Sequence, residues 1–177
     1  NVLVVLDEAY SEYLPADRAY DSARWLERHP HLLVSRTFSK AYGLAGLRVG
    51  YGIGQPSVVD LLNRVRQPFN VTNVGLAAAT AALADQGFVR ASAAANRAGL
   101  RQLEAFFDAS DIDYIRSYAN FIAFRAGDAA GVNRCLLEQG VIVRPIAAYA
   151  MPEWLRVSIG LEPENARFIE ALTKARS

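Results

Sequence analysis

SRTFSKAYGLAGLRVGY, residues 35–51, places a single lysine, Lys40, where the apolar run Leu32, Leu33, Val34 gives way to hydroxyls and glycines. Lysines normally ride on polar surfaces. This one is flanked by Phe38, Tyr42, Leu44 and Leu47, surroundings that would desolvate its ammonium and lower its pKa. A lysine so tuned is a candidate Schiff-base nucleophile. Thr37 and Ser39 add hydroxyls, and Arg48, eight residues beyond Lys40, adds a rigid fork suited to a phosphate. Gly43 and Gly46 allow close backbone approach to a ligand. Together these groups suit a phosphorylated aldehyde. Without its context, the Ser-Lys pair is equally a loop lysine beside a glycine-rich turn.

Upstream, residues 2–6 (VLVVL) form a short, β-branched run that predicts a strand buried on both faces of a parallel sheet, although a buried helix has the same pattern. It ends in Asp7-Glu8-Ala9-Tyr10, which puts Asp7 at the carboxyl end of a strand, where open α/β sheets carry their ligand sites. Taken alone, such an acid is also a helix cap or turn former. Residues 11–20 read as a loop. Asp21 or Ser22 caps a short helix to Arg28, with Trp25 and Leu26 inward. His29 and His31 flank Pro30 in a turn and read as solvated residues, since no further ligand lies near them. The next strand, 32–35, delivers the chain to Lys40.

Downstream, 47–53 reads as a strand, and 57–66 as an amphipathic helix with Val58, Leu61, Leu62 and Val65 on one stripe. The glycines at 50, 52 and 54 lack the strand-to-helix spacing of a dinucleotide fingerprint, and no phosphate-binding P-loop motif occurs. An alanine-rich helix runs over 72–85 and ends at Gly87. A longer one, 88–108, carries Leu100, Leu103, Phe106 and Phe107 on its apolar side. Strands then follow at 114–116, 121–125, 141–144 and 155–159, with helices at 129–139 and 164–175. Gly140 is a C-cap, Pro163 a helix start, and Cys135 a buried small hydrophobe. The expected division is 1–90, a partial large α/β domain; 91–108, a connecting helix; and 109–177, a small α+β domain.

Composition narrows the function class. Of the 177 residues, 52% are hydrophobic and 21% charged, with a net charge of +1, so neither nucleic acid nor an anionic membrane surface is indicated. One cysteine and two histidines exclude an internal disulfide and make a poor metal inventory. A reducing, cytoplasmic setting is expected. The chain opens without methionine, directly in a strand pattern, which predicts a fragment whose N-terminal part is missing.

Asp7 with Tyr10, Lys40 with its hydroxyls, and Arg48 are the groups that pyridoxal phosphate (PLP) requires: a carboxylate for the pyridine nitrogen, a phenol for the ring oxygen, a lysine for the aldehyde and donors for the phosphate. DEAY at 7–10, RTFSKAYGLAGLRVGY at 36–51, RQPFNV at 66–71, ANF at 119–121, GVIVRP at 140–145 and LRVSIG at 155–160 resemble the histidinol-phosphate aminotransferase family. That family belongs to the fold-type I, aspartate-aminotransferase-like PLP enzymes. The resemblance implies the C-terminal part of a PLP-dependent transferase large domain, a partial, mainly parallel mixed sheet with helices, followed by the small domain.

It further implies that Lys40 tethers PLP and shuttles the substrate Cα proton, that Asp7 pairs with the pyridinium and that Tyr10 bonds the ring oxygen. Thr37, Ser39 and Arg48 would hold the phosphate. Arg156 and Arg144 would receive the anionic end of the substrate, with Asn120 on the strand entering that pocket. The implied substrates are histidinol phosphate and glutamate or 2-oxoglutarate, and the implied assembly is a homodimer.

On the residues alone, Arg144 and Arg156 are also strand-edge surface charges, Tyr10 a core aromatic and Asn120 a turn former. Rival readings are an aromatic aminotransferase, a phosphothreonine-type decarboxylase, or a non-catalytic binding or assembly domain. The stretches of the family that complete the sheet and stack on the pyridine ring have no counterpart in this sequence, so the chain by itself is expected to be inactive or a weak cofactor binder.

Overall fold

A computed structural model describes residues 2–176. The chain falls into two compact units, the first through Ser92 and the second from Ala93. The α/β class expected from the sequence is the one observed.

In the first unit the Leu32 run extends to Thr37 as β2 (Leu32–Thr37), the central strand of a three-stranded sheet. On one side lies β1 (Val4–Asp7), parallel, with Asp7 opposite Ser35; on the other lies β3 (Gly50–Gly54), antiparallel, with Gly50 opposite Thr37. Gly50 is required there, because a Cβ would meet the Arg36 carbonyl oxygen at 2.8 Å. Leu26, Leu32 and Val34 form a small core with Leu6 and Ile53.

The expectation that residues 2–6 are buried on both faces is not met: Val2, Leu3, Val4 and Val5 are 51–75% exposed. The strand occupies the sheet edge with one neighbour, and hydropathy records what a strand tolerates, not what covers it.

The helix expected at 21–28 is a 3₁₀ segment (Ser22–Glu27), and Asp21 at its start makes no side-chain cap. Leu26 points inward, but Trp25 is exposed and stacks on Tyr20 with ring centroids 5.3 Å apart. The loop at 11–20 contains two further 3₁₀ turns, Ser11–Tyr13 and Ala16–Arg18. A third, Ala45–Leu47, replaces the start of the strand expected at 47–53.

Helix α1 (Pro56–Val65) opens on a proline, which needs no N–H partner in a first turn. Of its expected stripe only Val58 is buried; Leu61, Leu62 and Val65 are exposed. Helix α2 (Asn73–Ala84) is capped by Thr72, whose Oγ1 accepts the Gly75 N–H at 3.0 Å. Gly87 does not end it. The break is Asp85, whose Oδ1 accepts the Phe88 N–H at 3.0 Å and so starts α3 (Gln86–Ala109), with Gly87 inside that helix.

The second unit is built on an antiparallel sheet in the order β4 (Tyr114–Ile115), β5 (Phe121–Arg125), β7 (Trp154–Ser158), β6 (Arg144–Pro145). Strand alternation sends Ile122, Phe124, Leu155 and Val157 to one face, where they pack with α3, α4 (Ala129–Glu138) and α5 (Glu162–Arg176). Phe107, fully buried, lies 5.2 Å from Phe124 and 6.4 Å from Phe168 between ring centroids. Such aromatic contacts add to the burial energy of each ring.

Most of the strand expected at 141–144 is a helix cap instead. Gly140, at φ +74°, donates to the Leu137 carbonyl and Val141 to the Leu136 carbonyl, a Schellman closure of α4. Only Arg144 enters the sheet. Cys135, expected inside, is exposed on α4. Among the described residues no helix is long and apolar enough to cross a membrane, and no group of His, Cys, Asp or Glu could hold a metal ion.

Candidate active site

The parallel register of β1 and β2 ends with Asp7 beside Ser35, so the two strands deliver their side chains to one end of the sheet. Ser35 Oγ donates to Asp7 Oδ1 at 3.3 Å, and the Ala9 N–H donates to the same oxygen at 3.2 Å. These bonds hold an exposed carboxylate in place through one of its oxygens. The turn that follows carries Tyr10, and the Lys40 Nζ lies 5.5 Å from the centre of its ring. That contact brings the turn after β1 and the turn after β2 together. Lys40 is partly buried, so the full enclosure expected from Phe38, Tyr42, Leu44 and Leu47 is not reached. Phe38 and Tyr42 are buried and pack against each other, centroids 4.9 Å apart. Among the described residues the Lys40 ammonium has no carboxylate partner.

Thr37, Ser39 and Arg48 form a second group beside Lys40. Thr37 Oγ1 accepts the Ser39 N–H at 3.0 Å, which folds the chain back just after β2. Arg48 Nη1 donates to Ser39 Oγ at 3.3 Å and to the Ala45 carbonyl at 2.7 Å. Arg48 holds a left-handed backbone, φ 55°, between the 3₁₀ turn and β3, a conformation that costs a non-glycine residue roughly 1 kcal/mol. The side-chain bonds offset this. One guanidinium and two hydroxyls in such a cluster suit an anion. Gly43, at φ +71°, shapes the turn after Lys40, its N–H donating to the Lys40 carbonyl.

An ion pair beneath these groups is absent from the residue-by-residue reading of the sequence. Glu8, 3% exposed, accepts from Arg36 Nε at 2.8 Å. Burial works against the charge on Arg36, but its bonds to Glu8 and Tyr51 outweigh this and hold the guanidinium above its ordinary range. The signal was present: Glu8 and Arg36 each follow a registered partner, Asp7 and Ser35. Glu12, in the next turn, is raised above the usual carboxyl range, chiefly by burial.

In the second unit Arg144 and Arg156 are directly opposed on β6 and β7, and Ala123 of β5 lies opposite Arg156. Both arginines occupy the sheet face away from the core. Arg156 sits over the Phe121 ring, 4.5 Å from its centre. Among the described residues neither arginine has a carboxylate partner. Asn120 is partly buried just ahead of β5, its carbonyl accepting the Ile159 N–H at 2.9 Å. Two like charges facing each other across a sheet cost stability unless an anion joins them.

The sequence model of the family described as "Aminotransferase class I and II" matches residues 1–172. Among curated proteins, Histidinol-phosphate aminotransferase 1 of Dechloromonas aromatica (strain RCB) is 58% identical over 175 residues, 99% of this chain and 48% of its own length. Histidinol-phosphate aminotransferase 1 of Thiobacillus denitrificans (strain ATCC 25259 / T1) is 63% identical over 172 residues, 97% of this chain and 44% of its own. The chain thus spans about half the length of the curated relatives it matches. The crystal structure of histidinol-phosphate aminotransferase from Sinorhizobium meliloti, in complex with pyridoxal-5'-phosphate, is 31% identical, with a TM-score of 0.89 over 98% of this chain and 48% of that one.

Proposed function

Because this chain belongs to the class I and II aminotransferase family, we propose that its first unit carries the PLP-binding residues of a transaminase that interconverts histidinol phosphate and its keto counterpart, with glutamate and 2-oxoglutarate as the amino donor pair. The observation that carries the reading is the convergence at one end of a sheet of an anchored carboxylate, a partly buried amine without a counter-ion, and a guanidinium with two hydroxyls. These donors fit PLP. Its phosphate calls for the Thr37, Ser39 and Arg48 cluster, its pyridine nitrogen for a fixed carboxylate, and its aldehyde for a free amine. When bound, PLP supplies a conjugated ring that accepts the electrons released at the substrate Cα.

The chain's own residues do the rest. Asp7, held by Ser35 and Ala9, keeps a proton on the ring nitrogen. Lys40 would hold the aldehyde and would serve as general base and acid, moving the proton between the substrate Cα and the cofactor C4′ carbon. Tyr10, against Lys40, orients that amine and bonds the ring oxygen. In the second unit we assign Arg144 and Arg156 to the substrate carboxylate or phosphate, with Asn120 beside them. The relatives' names support the substrate class. The working assembly is a homodimer in the cytoplasm. Since Asp7 and Arg48 are exposed, this chain by itself binds the cofactor weakly and turns over little.

Reductive labelling tests the assignment. Incubation with PLP followed by borohydride and peptide mass spectrometry is expected to mark Lys40. The other lysine, Lys174, serves as control, being paired with Glu170 at 2.6 Å on α5. Lys40→Ala is expected to abolish specific labelling. Equal labelling at Lys174, or undiminished labelling in the variant, refutes the assignment.

A further inference from the structure

The ends of β1, β2 and β3 are tied together on the face opposite Asp7. Side chains alternate along a strand, so Asp7, Ser35 and Thr37 share one face while Glu8 and Arg36 fall on the other. On that second face Arg36 bonds Glu8 at 2.8 Å on one side and has Tyr51 of β3 as its cross-strand partner on the other. The chain Glu8, Arg36, Tyr51 therefore crosses all three strands. It lies one residue past the end of the β1–β2 register, where the Glu8 N–H to Ser35 carbonyl bond, 2.9 Å, links the two strand ends while β2 runs on against β3 through Arg36–Tyr51 and Thr37–Gly50. Glu8 is nearly solvent-free; its Oε2 accepts from Arg36, its Oε1 has no hydrogen-bond partner, and the Tyr20 hydroxyl also interacts with the carboxylate. A buried carboxylate with one oxygen committed to a guanidinium and the other unpaired has a defined geometry to keep.

We propose that Glu8 and Arg36 are positioning residues that fix the spacing of the β1 and β2 ends, and thereby hold Asp7 and Thr37 at the separation the cofactor ring and phosphate require. The proposal rests on the PLP reading above. Both side chains lie on the sheet face opposite Asp7 and Thr37, so each acts through its neighbour in sequence.

Two variants test it in the full chain. Glu8→Gln keeps the volume and weakens the tie. The double variant Glu8→Leu/Arg36→Met replaces the pair with apolar groups, a change that buried ion pairs usually tolerate without loss of fold. Amide hydrogen exchange at Ala9 and Ser39 reports Asp7 and Thr37 directly, since those N–H groups bond to their side-chain oxygens. Both are expected to exchange about tenfold faster in either variant, while Gly75, capped by Thr72 in the same unit, is unchanged. PLP affinity, followed by absorbance titration, is expected to fall about tenfold.

Unchanged exchange at Ala9 and Ser39 in the folded variants overturns the proposal. So does equal loss of protection at Gly75, which would make the pair a prop for the whole unit, and so does unchanged PLP affinity despite faster exchange. Failure of the unsubstituted chain to bind PLP refutes the functional reading instead, and the amide rates alone then decide whether the pair couples the strand ends.

Discussion

Arg144→Gln is expected to stabilise the second unit while weakening its response to anions. The two arginines are Cα partners in an antiparallel pair. Such partners lie roughly 4.5–5.5 Å apart, and their charged ends repel. At about 6 Å in a water-like dielectric the Coulomb term is roughly 0.7 kcal/mol, within the ~0.2–1 kcal/mol range of cross-strand pairs. Arg144 is the informative choice, because Arg156 also rests on Phe121, a contact of about 0.5–1 kcal/mol that its removal would forfeit.

At roughly 4–8 °C per kcal/mol for a unit of this size, Arg144→Gln is expected to raise Tm by about 1–6 °C at low salt. The gain should vanish near 1 M salt, where screening reaches about 3 Å. Trp154, in β7, reports the unit by fluorescence in a Trp25→Phe background. Added inorganic phosphate should stabilise the parent chain more than the variant, erasing the difference. A variant that melts lower, or that answers phosphate as the parent does, refutes the idea that this pair is an anion site held open against its own repulsion.

Three other expectations follow from packing and burial. Phe107→Ala removes a ring with 0% exposure and should cost about 3–5 kcal/mol in denaturant titration. Gly99→Ala should destabilise α3 by about 1–3 kcal/mol, although alanine is the better helix former, because its Cβ would lie 2.5 Å from Ile159 Cγ2; a gain in stability would show that the turn at Ile159 yields freely. Glu12 is raised from 4.5, mainly by burial, so the folded state holds its proton to higher pH than the unfolded chain. Stability is therefore lost as pH rises through that interval. Glu12→Gln should be more stable than the parent at pH 7, and this advantage should disappear below about pH 4, where both states of the parent are protonated. An advantage that persists at low pH would assign the effect to packing.

Where a residue's role depends on the chain immediately around it, the sequence was readable. β5, bounded at Phe121 and Arg125, follows from alternation alone, and the Gly140 cap follows from its chemistry. The position of Lys40 at the close of a strand was likewise local. What failed depended on neighbours far away in the chain. Residues 2–6 have a core strand's hydropathy yet stand at an edge, and Trp25 and Cys135 match buried types yet face outward. Val141 failed for a local reason instead: it has a strand's side chain but gives its N–H to the Leu136 carbonyl at the end of α4. The Glu8–Arg36 pair becomes visible only when two segments 28 residues apart are laid side by side.

Arg48 carries one more consequence. A long cationic side chain ordinarily surrenders up to about 2 kcal/mol of rotational freedom when it closes on an anion. Here that surrender has taken place before any guest arrives: the backbone is wound left-handed and the Ala45 carbonyl grips the head. Capture at this corner of the sheet should therefore register in a calorimeter as heat released with little entropic penalty, as expected of a socket that needs no reshaping.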